Sequence, residues 1–147
     1  MITQKEADYL IKLAKIIENP KKLKFPLPGE QKEISVLSVD GKEKFILDIN
    51  RGSIKLTKCT YQNRYRKDIV LLRLDLDGSS HTNPPELGGE TLDCPHLHVF
   101  KEGFGDKWAI QLPDVFTNDM DLITKLFEFS DYCKINNANE TQLQGVI

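Results

Sequence analysis

Asp68-Ile-Val-Leu-Leu-Arg-Leu-Asp-Leu-Asp77 is the stretch on which the fold turns. Leu72, Leu74 and Leu76 alternate with Arg73, Asp75 and Asp77. Alternation of period two is the mark of a strand with one face on a core and the other face polar. A surface helix would repeat its apolar residues every three to four positions instead. The stretch therefore predicts a strand in a sheet covered on one side only, a habit of antiparallel sheets.

Working outward, Glu33 to Val39, Lys42 to Ile49 and Ile54 to Tyr61 read as earlier strands. Asp40-Gly41 is a hairpin signal, and Asn50-Arg51-Gly52-Ser53 a second turn. Downstream, His96 to Phe100 and Lys107 to Leu112 read as two more strands around a turn at Lys101 to Asp106. Thr3 and Glu6 form a capping box, and Leu10, Leu13, Ala14 and Ile17 recur at helical spacing up to Asn19-Pro20. Thr117 or Asn118 caps a closing helix with Leu122, Ile123, Leu126, Phe127, Phe129 and Cys133 on its apolar face. The expected fold is α+β: an N-terminal helix, a largely antiparallel meander of roughly six strands, and a C-terminal helix packed on one sheet face. Residues 1–135 read as one domain and residues 136–147 as a loose polar tail.

The chain has 147 residues, 39% of them hydrophobic and 29% charged, which suits one globular domain with a core of its own. A net charge of -2 excludes polyanion binding by bulk field, so any nucleic-acid contact must be local. Cys59, Cys94 and Cys133 are odd in number and widely spaced, which fits neither a disulfide framework nor a zinc ribbon. The N-terminus lacks a signal-peptide apolar region, and no apolar run spans a bilayer. The expectation is a reduced, cytoplasmic protein without membrane contact.

All three histidines lie between Arg73 and His98. Strand alternation puts His96 and His98 on one face, opposite Leu97 and Val99. The segment from Gly78 to Pro95 is a long loop. If it returns the chain beside its starting strand, Arg73 and Asp75 face His96 and His98, with His81 above them. Imidazoles move protons, a guanidinium stabilises an anionic transition state, and a carboxylate orients a ring nitrogen. Those are the parts of a metal-independent RNA-cleaving site. One histidine takes the 2′-hydroxyl proton, another protonates the leaving 5′-oxygen, and Arg73 holds the phosphoryl charge. No cofactor is expected. The bland alternative is that the histidines fill the solvent side of a half-exposed strand. If a metal is bound after all, Cys94, His96 and His98 are the ligands that spacing offers.

A basic run lies nearby. Arg51, Lys55, Lys58, Arg64, Arg66 and Lys67 have no acid among them, and Tyr61 and Tyr65 are interleaved. Arginines on phosphates and tyrosines stacked on bases would bind RNA. A strand edge blunted by cations against aggregation is the alternative.

His81-x-Asn83-Pro84, Cys94-Pro95-His96-Leu97-His98-Val99-Phe100 and Glu102-Gly103-Phe104-Gly105-Asp106-Lys107-Trp108-Ala109 resemble the motifs of a small family found in prophages and other mobile elements. The order Arg73-x-Asp75, His81, His96-x-His98 is more distantly similar to the TumE-type toxins of toxin–antitoxin systems. That resemblance implies an endoribonuclease held in check by a protein antitoxin, with Arg73, Asp75, His81, His96 and His98 as its site. The long Pro85 to Asp93 loop departs from the pattern. The alternative is a phage-encoded, non-catalytic inhibitor that binds a host defence nuclease through acids such as Glu86, Glu90 and Asp93. A structural metalloprotein is a third reading. The sequence leaves substrate preference, partner identity and oligomeric state open.

Overall fold

A computed structural model describes residues 1–143. Helix α1 (Gln4–Lys12) starts at the expected capping box: Thr3 accepts from Glu6 N–H, and the Glu6 side chain accepts from Thr3 N–H. The strands are β1 (Lys15–Ile17), β2 (Gln31–Ser38), β3 (Lys44–Arg51), β4 (Cys59–Tyr65), β5 (Ile69–Asp75), β6 (His81–Thr82), β7 (Thr91–Leu92), β8 (His96–Val99) and β9 (Ala109–Gln111). Helix α2 (Leu122–Tyr132) closes the fold. One seven-stranded sheet has the order β1-β2-β3-β4-β5-β8-β9, and β6 pairs only with β7. Every pairing between these strands is antiparallel, and one isolated parallel bridge joins Lys15 to Ile135.

The α+β expectation holds, with seven strands in the main sheet where roughly six were expected. The extra strand comes from the N-terminal helix, which is shorter than its apolar spacing suggested. Lys15-Ile16-Ile17 pairs with Val36-Leu37-Ser38, because β-branched residues gain more from a sheet edge that needs a partner than from another helical turn. The third strand is shifted. It runs over Cys59–Tyr65 and not from Ile54 to Tyr61, and Ile54 is 97% exposed. Burial decides this, since Tyr61 and Tyr65 pair with Ile49 and Phe45 and face inward with them. The α2 cap is Asp121, which accepts from Thr124 N–H at 2.9 Å, while Thr117 donates to Glu128.

One face of the sheet carries Val36, Phe45, Leu47, Ile49, Tyr61, Leu72, Leu74 and Leu97. Ala7 and Leu10 of α1 and Leu122, Leu126 and Phe129 of α2 join the same core, so both helices cover this face. Residues 136–143 are not a loose tail. Asn137 accepts from Ile17 N–H at 2.7 Å and donates to Ile17 O at 2.9 Å, and Ala138 and Leu143 are buried. The last four residues of that predicted tail lie outside the described residues. Among the described residues, no helix is long and apolar enough to cross a membrane.

Candidate functional site

Register builds the site on the helix-free face. Arg73 pairs with His98 and Asp75 with His96. The rows continue across the sheet as Glu33–Asp48–Gln62–Arg73–His98 and Gln31–Asn50–Thr60–Asp75–His96. Two polar ladders thus cross five strands to reach the imidazole pair. A groove of about 480 Å³ lies over them, lined in part by Glu33, Asp48, Gln62, Arg64, Arg73 and Asp75.

Arg73 is the hub. Its Nε donates to Asp75 Oδ1 at 3.1 Å and its Nη1 to Asp106 Oδ2 at 2.8 Å. Its Nη2 lies 3.3 Å from Asp75 Oδ2 and 3.0 Å from His98 Nε2. Asp75 Oδ2 is also 3.3 Å from His96 Nε2 and 3.2 Å from His98 Nε2. Burial works to raise the Asp75 pKa, but the Arg73 charge and its hydrogen bonds outweigh it and hold the carboxyl well below the usual carboxylate range. His81 stands over the pair, its ring centroid 4.5 Å from that of His98 and 5.9 Å from that of His96.

Hydrogen bonds to carbonyls fix the ring protons, since a carbonyl only accepts. His98 Nδ1 is 2.7 Å from Asp106 O and His96 Nδ1 3.2 Å from Asp93 O, so both rings carry hydrogen on Nδ1. Arg73 confirms this at His98, because a guanidinium only donates and Nε2 must accept. His81 Nε2 is 2.9 Å from Lys107 O and donates to it. Both Nε2 atoms of the His-x-His pair therefore carry lone pairs and lie beside Asp75.

The long loop is ordered. Asn83, 1% exposed, accepts from Ala109 N–H at 2.8 Å and donates to Ala109 O at 2.9 Å. This bolts the segment carrying His81 to the outer strand β9. His96 and His98 are each 1% exposed, so the groove meets Arg73 and Asp75 before it meets an imidazole. Cys94 lies at the wrong end of the ring for the ligand set spacing offered: its Sγ is 3.7 Å from His96 Nδ1, while Nε2 faces Asp75.

The basic run does not form one surface. Tyr61 is 0% exposed and donates to Leu122 O at 2.6 Å; Tyr65 is 5% exposed and donates to Glu43 at 3.0 Å. Neither ring offers a face to a base. Arg51 donates to Pro26 O and Leu56 O and stacks over Phe25. Arg64 is forked onto Asp48 at 2.6 and 2.8 Å, Lys55 pairs with Asp77 at 2.9 Å, and Arg66 lies over the Tyr65 ring. Lys58 is exposed on the turn before β4. The cause is period two: odd positions of β4 face the core and even positions face the groove.

Sequence reasoning missed Asp106 and Asn83. Asp106 ends the turn out of the His-x-His strand, where its carboxylate reaches Arg73 and its carbonyl reaches His98. The signal was that a short turn returns its last residue beside the strand it left. A model of a family of unknown function, DUF6978, matches residues 2–135, a span that holds the whole cluster. No curated protein and no solved structure matches.

Proposed function

The chain belongs to that family, and we propose that it is an endoribonuclease centred on Arg73, Asp75, His96 and His98, the toxin half of a mobile-element toxin–antitoxin pair. One observation carries the reading. A single guanidinium on the open sheet face spans two carboxylates and an imidazole at the end of a groove. An arginine held in such a fork presents fixed donors to a phosphate. The groove carries Lys32, Arg64 and Arg73 against Glu33, Asp48 and Asp75, so the substrate is held by this local fork and not by a broad positive field.

The chemistry follows from the ring tautomers. An Nε2 lone pair takes the 2′-hydroxyl proton as the 2′-oxygen bonds to phosphorus. The bond from phosphorus to the 5′-oxygen breaks, and the other imidazole, in its protonated form, gives that oxygen its proton. Arg73 faces the charge that builds on the phosphoryl oxygens. The products are a 2′,3′-cyclic phosphate and a 5′-hydroxyl end. Because both rings lie under the loop, the phosphate reaches them only as the His81 segment lifts.

Incubating the purified chain with RNA and with DNA of the same sequence tests this. RNA should be cut to cyclic-phosphate ends and DNA left whole. His98→Ala should slow cleavage by about 10²–10⁴-fold, the range for one proton-transfer group. RNA left intact by the wild-type chain removes the enzyme reading.

A second reading is favoured by the loop. Glu86, Glu90 and Asp93 are exposed on an ordered segment, as an inhibitor of a nucleic-acid enzyme requires. Such an inhibitor acts one-to-one, survives replacement of the histidines, and fails when those acids are neutralised.

A further inference from the structure

We infer that Asp75, His96 and His98 form a binding site for one divalent first-row transition-metal ion of the zinc class. The ion would take the same two Nε2 lone pairs that the proposed cleavage uses, so a metal-loaded chain would not cleave RNA by that route, and the inference does not rest on RNA cleavage.

The argument begins with protons. Both imidazoles carry hydrogen on Nδ1, each directed at a backbone carbonyl, Asp93 O or Asp106 O. Hydrogen bonding of the outer nitrogen to a carbonyl is how proteins orient a metal-binding histidine and leave Nε2 basic. The two Nε2 atoms and one Asp75 oxygen then face one another as three acceptors, all within 4.8 Å. Neutral rings leave no proton to place between them. At His98 the Arg73 Nη2 fills the need, lying 3.0 Å from Nε2 and 3.3 Å from Asp75 Oδ2. At His96 nothing does. Its Nε2 is buried and has no hydrogen-bond partner among the described residues, although Asp75 Oδ2 is only 3.3 Å away. The lone pair is aimed beside the oxygen and not at it.

The two nitrogen–oxygen spacings are those of ligands around one ion. Zinc–nitrogen and zinc–oxygen bonds of about 2.1 Å in a tetrahedron set neighbouring ligand atoms about 3.4 Å apart. The two nitrogen–oxygen distances here are 3.3 and 3.2 Å. Protonating both rings instead would bury two imidazolium charges beside a guanidinium, with Asp75 and Asp106 to share among three cations. The donor set also selects the ion. Two imidazoles and a carboxylate suit zinc, cobalt or iron(II), whereas magnesium and calcium take oxygen. Asp106 already holds Nη1 of Arg73 and can keep the guanidinium when Nη2 yields its place. Cys94 and His81 stand outside the set: Cys94 touches the other nitrogen of His96, and the ligand atoms of His81 are not among the three that cluster.

The test uses the full chain, purified without a histidine tag and stripped with a chelator. Titration with Co²⁺ is followed by visible absorption, and with Zn²⁺ by calorimetry and melting temperature. The expected result is one equivalent bound, a cobalt spectrum of low-coordinate type, and a raised melting point with Zn²⁺ but not with Mg²⁺ or Ca²⁺. Asp75→Asn, nearly the same shape, and His96→Ala should each weaken binding by at least about tenfold. Cys94→Ser should leave it unchanged. Absence of saturable Co²⁺ and Zn²⁺ binding overturns the site, as does binding that Asp75→Asn and His96→Ala leave intact. Cyclic-phosphate formation from RNA, measured on the chelator-stripped chain, reports on the proposed activity, so either idea can fail while the other stands.

Discussion

Lys15 is 0% exposed, and replacing it with methionine should expose how this fold holds a charge. Its ammonium donates to Leu13 O and Cys133 O at 2.8 Å each and to Ile11 O at 3.1 Å, and lies 4.9 Å from the Phe45 ring centroid. Three donors meet three carbonyls at the C-terminal ends of α1 and α2, where helix dipoles favour a cation. Burial nevertheless pushes the Lys15 pKa down from 10.5 to about 8, with Cys133 opposing and Lys134 assisting. Between those two values the unfolded chain holds a proton that the folded chain has released. Stability must therefore rise with pH across that window, at up to ~1.4 kcal/mol per pH unit and ~3 kcal/mol in all. The buried thiols act with the opposite sign. Cys59 is pushed up to about 11 and Cys133 to about 12, so from about pH 9 they withdraw stability as the unfolded thiols ionise first. Lys15→Met keeps the thiols and removes the ammonium. Urea unfolding followed by Trp108 fluorescence should show it about 2 kcal/mol less stable at pH 7, since three carbonyls lose their donor. The gap should widen between pH 8 and 10. Parallel stability curves for the two proteins over that range would refute the reasoning.

Arg73→Lys keeps the charge and loses the fork, so on the proposed function one ammonium must choose among Asp75, Asp106 and the substrate phosphate. RNA cleavage should fall by about 10²–10³-fold, as when one transition-state donor is lost; a lysine variant with full activity would mean that Arg73 supplies charge alone. Asn83→Ala strips Ala109 of both partners on an edge strand and should cost about 2–4 kcal/mol. Hydrogen exchange at the Ala109 amide should speed up with it, and unchanged protection there would show that the loop is held by something else.

Alternation in Asp68 to Asp77 and in His96 to His98 was enough to put Arg73 and Asp75 on one face of their strand and the two histidines on one face of theirs, because period two leaves no freedom in which face a side chain takes. The register pairing Arg73 with His98 was legible only as a condition, since it depends on where a long loop returns. Other errors came from competition between elements. Ile17 fits a helical repeat and a strand equally well, and the open edge beside β2 decided it. Thr60, Gln62 and Arg64 look like a basic, polar surface strand, but their odd-numbered neighbours carry the core. A run of cations with interleaved tyrosines states charge without stating face, which is why the expected RNA-binding stripe comes apart into ion pairs and buried rings.

The loop and the cluster under it answer different physical demands. β9 is the last strand of the sheet, and an outer strand carries backbone groups that need partners. Asn83 supplies both from one amide, acting on Ala109 as a paired strand would. This anchoring explains why a segment so rich in glycine and proline is ordered, and it requires no catalysis at all. The Asp75–His96–His98 group is not explained that way. A cover needs only apolar or self-satisfied groups beneath it, yet a buried imidazole nitrogen there lacks a partner while its other nitrogen is carefully held. Leaving such an atom unpaired costs about 1–3 kcal/mol with no gain in packing. That cost, borne beside a forked arginine at the end of a groove, is what a reactive or ligand-binding centre there would account for, and on the proposed reading the loop is the part of the scaffold that would move to expose it.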